Sequence, residues 1–345
     1  MKRYGDLYEK ICAADNLYKA HLKARRGKRW YKEVQDIDEH PSWYIRTLHD
    51  ILEAREYHTS SYTIFTRNDG VKEREIYKLP YYPDRIVHWA IMQVIEPILM
   101  SQFTADTYSA IPGRGIHYGM ERVQNDLATD PEGCEYCLKL DIRKYYPSIN
   151  HDILKEKYRK IFKDPDLLNL LDEIIDSVPE DKGVPIGNYL SQYSANFYLS
   201  DFDHWIKEVM HLKHYHRYMD DIVIFSDSKE YLHRLFDEIQ IYLDLCLKLT
   251  IKDNWQIFPT YVRGVDFLGY RFFGDKTLLR KRTARNLKHK MYKIAKKDFL
   301  SDSDICAISS YEGWIAHCDA YGLYRKYIEP LKAKRIFTKE GVQND

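Results

Sequence analysis

Apolar residues recur along this chain with two different spacings, and the change between them predicts the order of helices and strands. Residues 84–100 carry isoleucine, valine and alanine at every third or fourth position, which is typical of a helix with one buried face. The stretches 16–30 and 42–57 also read as helices. Two β-prone runs then flank a turn at 67–70, and this pattern predicts a hairpin.

The middle of the chain alternates between strand and helix patterns. Residues 136–141 predict a strand whose last residue is an aspartate, and Asn150 is expected to cap the helix after it. A single helix is expected over 191–210. The apolar run 222–225 predicts another strand, and Asp227 is the expected N-cap of the next helix. This order of elements favours an α+β fold with helical additions at both ends of a sheet domain.

Three aspartates stand at the ends of these predicted strands. Asp141 ends the strand 136–141, while Asp220 and Asp221 lie in a turn that enters the strand 222–225. A bare pair of aspartates is commonly a surface turn. If the two strands are neighbours, however, all three carboxylates meet at one end of the sheet, where their mutual repulsion requires a cation. Hard oxygen ligands select Mg²⁺ or Mn²⁺, and two such ions are the usual clamp for phosphoryl transfer.

The distribution of charge along the chain predicts a local contact with nucleic acid. The 345 residues carry a formal net charge of only +1, which alone argues against a polyanionic partner. Residues 271–299, however, hold eleven Lys or Arg against two Asp. Such a block indicates a localised polyanion contact, with a solvated helix face as the alternative.

The cysteine pattern and the hydropathy of the chain indicate its cellular location. Cys134 and Cys137 form a lone C-x-x-C, which we interpret as two ordinary thiols rather than a metal or redox site. The scattered cysteines favour a reducing, cytoplasmic location. No apolar run is long enough to span a membrane, and the N-terminus lacks the pattern of a signal peptide.

Three motifs resemble those of reverse transcriptases and occur in that family's order. Tyr218-Met219-Asp220-Asp221 resembles the Y-x-D-D turn, residues 140–149 resemble the first palm motif, and residues 265–270 resemble the hairpin that grips the primer end. The resemblance implies an RNA-directed DNA polymerase with the right-hand architecture. It divides the chain into an N-terminal helical extension (1–60), fingers (61–135), a palm of antiparallel sheet plus helices (136–273) and a helical thumb (274–345).

The resemblance also implies roles for individual residues. Asp141, Asp220 and Asp221 would form the catalytic acidic cluster that binds two Mg²⁺ ions, with Mn²⁺ as a substitute. The backbone carbonyl of Ile142 would assist the metal. Tyr146 would lie under the sugar of the incoming nucleotide, where a flat ring excludes a 2′-hydroxyl and selects deoxynucleoside triphosphates.

Basic residues complete the implied site. Arg74, with Lys72 as the second choice, would hold the incoming triphosphate, since a guanidinium can make two parallel bonds to phosphate. Arg114 would contact the template backbone or the triphosphate, whereas Lys252 is interpreted as a surface lysine rather than an acid for pyrophosphate. The expected thumb contacts to template RNA and cDNA are Arg280, Lys281, Arg282 and Arg285.

The segment 184–192 resembles one particular group, the reverse transcriptases of diversity-generating retroelements. Ile186 and Gln192 replace the first Gln and the Pro of the common Gln-Gly-x-x-x-Ser-Pro motif around Gly187. The resemblance implies adenine-mutagenic cDNA synthesis from a template-repeat RNA for mutagenic retrohoming. It also implies a small, basic, oligomeric accessory variability determinant as partner, and no membrane. We hypothesise that branched Ile186 removes polar contacts that would hold the nucleotide in register.

Other assignments remain open on the residues alone. A group II intron, CRISPR-associated or phage-defence reverse transcriptase would carry the same three aspartates. A non-catalytic RNA-binding relative is the alternative from a different class. The presence of all three acidic residues argues against it, because a catalytically inactive relative need not retain them.

Overall fold

The computed structural model describes residues 3–68, 73–178 and 180–332. Within them the chain forms two compact units. The first unit contains residues up to 111 together with 141–212 and 237–253. The second contains 112–140, 213–236 and the residues from 254 onward.

Helices account for much of both units. In chain order the helices of the described part are α1 (Tyr8–Cys12), α2 (Ala14–Ala24), α3 (Lys32–Glu39), α4 (Pro41–Glu53), α5 (Ile86–Met100), α6 (Ile116–Thr129), α7 (Tyr145–Ser148), α8 (His151–Ile161), α9 (Pro165–Asp176), α10 (Tyr189–Tyr198), α11 (Ser200–His204), α12 (Lys229–Leu247), α13 (Thr260–Arg263), α14 (Lys281–Ala295), α15 (Asp302–Ile315) and α16 (Tyr321–Leu323). Each helix in this part of the chain is too short or too polar to cross a membrane.

The strands are short and lie mostly in the second unit. They are β1 (Thr63–Asn68), β2 (Glu73–Lys78), β3 (Thr107–Tyr108), β4 (Tyr136–Asp141), β5 (Tyr215–Tyr218), β6 (Asp221–Ser226), β7 (Gln256–Pro259), β8 (Val265–Phe267), β9 (Tyr270–Phe273) and β10 (Lys276–Leu279). The mixture of helices and antiparallel strands confirms the α+β class predicted from the periodicity.

The core of the first unit is built around α5, which packs against α1, α2 and α10. Ile86, Ile91 and Ile95 of α5 are fully buried. Asn16 fastens α2 to this helix, since its side-chain amide donates to the Ala90 carbonyl at 3.1 Å. The predicted hairpin is also present, as antiparallel β1 and β2 in the register Thr63 to Lys78.

In the second unit, four strands lie side by side in the order β5-β6-β4-β7. Strands β5 and β6 form a hairpin in which Tyr218 pairs with Asp221. Strand β4 pairs antiparallel with β7, and a separate antiparallel sheet has the order β10-β9-β8. The basic helix α14 follows this second sheet along the chain.

Two local expectations were wrong. The helix expected over 191–210 is divided into α10, α11 and the wider helical segment Trp205–Val209, because the backbone leaves helical geometry at Leu199 (φ −92°, ψ 0°). The N-terminus of α12 is capped by Ser228 rather than Asp227. The Ser228 hydroxyl accepts a hydrogen bond from the Tyr231 N–H at 3.1 Å, so the capping side chain lies one residue later than expected.

Candidate active site

A two-residue hairpin turn, Met219 and Asp220, joins β5 to β6, and Asp221, which was expected in the turn, is the first residue of β6. Met219, the first turn residue, has a φ of +55°, in the left-handed region that two-residue hairpins require and that side chains other than glycine disfavour. Arg217 is fully buried, and its Nη1 donates to the Met219 carbonyl at 3.0 Å. This bond ties the turn to β5. It therefore holds the backbone in place directly before Asp220 and Asp221.

Asp221 takes part in a charge network within the second unit. The Lys139 ammonium, from β4, donates to the Asp221 carboxylate at 2.7 Å and to the Asp266 carbonyl at 2.6 Å. The Asp266 carboxylate in turn accepts from Arg280 Nε at 2.5 Å. Burial raises the pKa of Asp221 above its ordinary value, and Lys139 opposes that rise. The carboxylate therefore sits in a place where ionisation needs a neighbouring cation.

Asp141, the last residue of β4, is held in place by contacts with residues of the first unit. Its backbone carbonyl accepts from the Lys252 N–H at 2.9 Å, and the Lys252 ammonium contacts its carboxylate. Ile142 forms an antiparallel bridge with Ile251. The two hydrogen bonds of this bridge are made by the residues on either side of Ile142, so neither uses the Ile142 carbonyl. Lys252 is therefore a counterion of Asp141 and not only a surface lysine.

Tyr146 lies in the short helix α7 just after this bridge. Lys144 has a φ of +44° and turns the chain sharply into the helix. The Tyr145 hydroxyl donates to the Ala195 carbonyl, and the Tyr146 carbonyl accepts from the Val184 N–H at 3.0 Å. These bonds hold the segment on both sides, with the Tyr146 side chain half-buried.

The loop that carries Ile186 and Gly187 lies against the hairpin strand β2. Gly187 has a φ of +121°, a conformation that favours glycine. A Cβ at this position would make an ordinary van der Waals contact with Cγ2 of Ile76 at 3.6 Å, so the backbone conformation rather than lack of space favours glycine here. Ile186 is half-buried before it, and Gln192 is half-buried in α10 after it.

The predicted triphosphate residues lie on the hairpin. Arg74 is exposed on β2 and directly opposite Arg67 of β1, a pair that sequence reasoning missed because only the register reveals it. Two like charges in a cross-strand pair repel, so an anion bound between them would be stabilising. Lys72 lies outside the described residues. Arg114 is half-buried in the loop before α6, in the second unit.

The predicted thumb cations gather at the start of α14. Arg280 is the N-cap residue and is already paired with Asp266, whereas Lys281, Arg282 and Arg285 are exposed. The first turn of this helix has no acidic residue. Since the N-terminal end of a helix is itself electropositive, this surface favours an anionic ligand.

The remaining groups considered as metal ligands do not belong to this site. Cys134 and Cys137 are free and buried, and burial raises the pKa of Cys134 to about 12, which fits the inert thiols predicted. Across the parts of the chain that the structure describes, one cluster of three side chains could share an ion, namely His49, Asp50 and Glu53. Two of these three are exposed, and nothing further points to a ligand there.

Comparisons with known proteins agree with these motifs. The family described as reverse transcriptase (RNA-dependent DNA polymerase) matches residues 67–272. The chain is 25% identical over 246 residues to Protein YkfC of Escherichia coli (strain K12), covering 59% of this chain and 63% of that protein. It is 24% identical over 93 residues to Nuclear intron maturase 1, mitochondrial, of Arabidopsis thaliana, covering 27% and 12%. The chain thus spans less than two thirds of these relatives.

Among solved structures, the chain is similar to apo telomerase from Candida tropicalis, with a TM-score of 0.47 and 12% identity over 68% of this chain and 52% of that one. It is also similar to telomerase from Candida albicans in complex with a TWJ fragment of telomeric RNA. That match has a TM-score of 0.47 and 10% identity, and covers 66% of this chain and 46% of that one.

Proposed function

The chain belongs to the reverse transcriptase (RNA-dependent DNA polymerase) family, and from this premise we propose that it copies an RNA template into DNA. The observation that carries the proposal is the position of Asp220 and Asp221 at the start of β6, since β6 neighbours β4 in the sheet and β4 ends at Asp141. In this proposal the three carboxylates are the catalytic residues of nucleotidyl transfer.

The donor set fits two Mg²⁺ ions, or Mn²⁺ in their place. Asp141 and Asp220 would hold both ions, with Asp221 and the Ile142 carbonyl completing the oxygen ligands. Lysine ammonium groups already contact Asp141 and Asp221, which supports the idea that these carboxylates require positive charge. When bound, the metal ions would activate the primer hydroxyl and neutralise the charge that develops on the pyrophosphate.

The chain's own residues would position the substrates. Tyr146 would lie under the deoxyribose and exclude a 2′-hydroxyl. Arg74 and Arg67, opposite one another on the hairpin, would hold the triphosphate, with Lys72 and Arg114 as further contacts. The exposed Lys281, Arg282 and Arg285 on α14, with Arg280 at its cap, would contact the sugar–phosphate backbone of the RNA–cDNA duplex.

These assignments correspond to a right-hand polymerase. Residues 1–60 would be the N-terminal helical extension, 61–135 the fingers, 136–273 the palm and 274–345 the thumb. The exposed fingers hairpin and the basic thumb helix support this division, because each presents cations where the proposal needs a phosphate contact.

We further infer that the enzyme belongs to a diversity-generating retroelement and makes adenine-mutagenic cDNA from a template-repeat RNA for mutagenic retrohoming. Ile186 and Gln192 support this, since they replace polar and rigid residues on either side of Gly187. Fewer hydrogen bonds would then hold the nucleotide in register, and losing about 1–3 kcal/mol of discrimination allows about ten- to hundredfold more error. A small basic oligomeric accessory protein would supply nucleic-acid affinity that a net charge of +1 does not.

A group II intron enzyme is the second candidate, and the similarity to an intron maturase favours it over other reverse transcriptases. The test is primer extension on an RNA template, followed by sequencing of the cDNA. Wild type should extend the primer, Asp220→Ala should lose activity by more than about a thousandfold, and the exposed control Asp237→Ala should match wild type. Errors concentrated at template adenines support the retroelement, whereas uniform, infrequent errors support the intron enzyme.

A further inference from the structure

Four charged residues of the second unit form one continuous series of contacts, which runs from the Asp221 carboxylate to the start of helix α14. The Lys139 ammonium donates to the Asp221 carboxylate at 2.7 Å and to the Asp266 backbone carbonyl at 2.6 Å. The Asp266 carboxylate accepts from Nε of Arg280 at 2.5 Å. Asp266 therefore contacts both cations, one through its backbone and the other through its side chain.

The two ends of this series differ in their access to solvent. The side chains of Arg280 and Asp266 are 37% and 46% exposed, whereas those of Lys139 and Asp221 are 25% and 26% exposed. The Arg280 backbone N–H donates to the Gly269 carbonyl at 3.0 Å, which holds Arg280 beside the turn between β8 and β9. A large anion can therefore reach the guanidinium more readily than it can reach the ammonium.

A phosphate that binds Arg280 changes the balance of charge at Asp266. Guanidinium groups bind phosphate through two parallel hydrogen bonds, which compete with the single bond that Arg280 donates to the Asp266 carboxylate. The phosphate also repels that carboxylate. Lys139 already contacts the backbone of the same residue, and its ammonium has three donors on a flexible stem. The ammonium can therefore keep its bond to the Asp266 carbonyl while it exchanges Asp221 for the released carboxylate.

We propose that Lys139 and Asp266 are positioning residues that couple duplex binding at Arg280 to metal binding at Asp221. The inference rests on the polymerase function proposed above, which supplies both the RNA–cDNA duplex and the divalent ion. Without a duplex, Lys139 neutralises the Asp221 carboxylate and competes with the ion for its oxygens. With a duplex, Lys139 turns to Asp266 and leaves Asp221 to the ion. The acidic residues then bind metal tightly only when a template and primer are present.

Binding of Mn²⁺ to the full chain tests this coupling without turnover. The ion is titrated with and without a saturating RNA–DNA duplex whose primer ends in a dideoxynucleotide. Free Mn²⁺ is measured by electron paramagnetic resonance, and the ion bound by duplex alone is subtracted. Wild type should bind Mn²⁺ about tenfold more tightly with the duplex, and by reciprocity Mn²⁺ should strengthen duplex binding by the same factor. Asp275→Asn, an exposed control between β9 and β10, should behave like wild type.

Three variants separate this coupling from direct attraction between the duplex and the ion. Asp266→Asn leaves Lys139 on Asp221, so Mn²⁺ should bind weakly with or without the duplex. Arg280→Gln releases the Asp266 carboxylate permanently, and Lys139→Met removes the competing ammonium. Both of these variants should bind Mn²⁺ tightly without the duplex and gain little from it.

The opposite behaviour of Asp266→Asn and Arg280→Gln distinguishes the coupling from damage to the fold, since either variant breaks the same ion pair. Wild-type coupling in Asp266→Asn, or equal Mn²⁺ affinity of wild type with and without duplex, would overturn the proposal. Either result together with normal primer extension leaves the polymerase function intact. Absence of both primer extension and Mn²⁺ binding in wild type would overturn the polymerase function and the coupling together.

Discussion

Replacing Lys139 with methionine removes the ammonium that faces Asp221 while keeping a side chain of similar length. The two groups are 2.7 Å apart, and their side chains are 25% and 26% exposed. Two unit charges at this distance attract by about 6 kcal/mol at an effective dielectric constant of 20, and desolvation offsets much of that. Since breaking a buried pair costs about 3–5 kcal/mol, we expect Lys139→Met to lower the free energy of unfolding by about 2 kcal/mol after allowance for solvent screening.

The pH dependence of this loss identifies its cause. Burial already holds the pKa of Asp221 above its ordinary value of 3.8, and removing Lys139 removes the effect that opposes this rise. A protonated Asp221 needs no counterion. The deficit should therefore be complete at pH 8 and shrink as the pH falls through the raised pKa, because the variant binds its proton more readily than wild type.

The assay is urea unfolding of the full chain at pH 8 and in steps down to pH 4. Asp221→Asn and the double variant complete a mutant cycle, and the exposed Lys288→Met is the matched control. A coupling free energy below about 0.5 kcal/mol, or a deficit of the same size at every pH, would refute the reasoning and make Lys139 a packing residue.

Three further predictions concern fidelity, nucleic-acid binding and pH. Ile186→Gln should reduce adenine misincorporation about tenfold, measured by sequencing cDNA, and an unchanged error spectrum contradicts the role given to Ile186. Arg285→Gln should weaken RNA–DNA duplex binding equally for all sequences and reduce the slope of log K against log salt by about 1; an unchanged slope excludes a phosphate contact. The carboxylates of Asp126, 2.9 Å from Nδ1 of His214, and of Asp130, which is hydrogen-bonded to Nε2 at 2.9 Å, raise the pKa of His214 above 6.5. The stabilisation that protonated His214 provides is complete below pH 6.5 and is lost as the pH rises through the raised pKa of His214. His214→Gln should therefore lower the Tm clearly at pH 6 and only slightly at pH 9. Equal losses of Tm at the two pH values would contradict this.

Local signals explain what the sequence predicted well. The hairpin of β1 and β2 follows from turn-forming residues between two β-prone runs, and the strand β6 follows from the apolar run 222–225. The strand that ends at Asp141 was found because a short apolar run stops at a carboxylate. Each of these signals lies within a few residues of the feature that it predicts.

Long-range contacts explain what the sequence did not reveal. Lys139 lies 82 residues from Asp221, and Lys252 lies 111 residues from Asp141, so no local pattern marks either lysine as a counterion. Arg85 and His88 are three residues apart and look like one ordinary helix face. Only the fold brings Asn188 beside Arg85 and His88, where all three line one small cavity of the first unit.

Lys139 and Lys252 would affect how tightly a metal ion binds in the proposed site. Each belongs to a strand or loop that the fold holds beside a carboxylate, so the acidic residues are partly neutralised before any ion arrives. A neutralising lysine lowers the cost of folding around buried acids, but it also competes with Mg²⁺ for the same oxygens. Removing Lys139 should therefore destabilise the chain in metal-free buffer and strengthen its stabilisation by Mg²⁺, because the metal would then relieve a larger uncompensated charge. The two effects have opposite signs, which a general loss of packing would not produce.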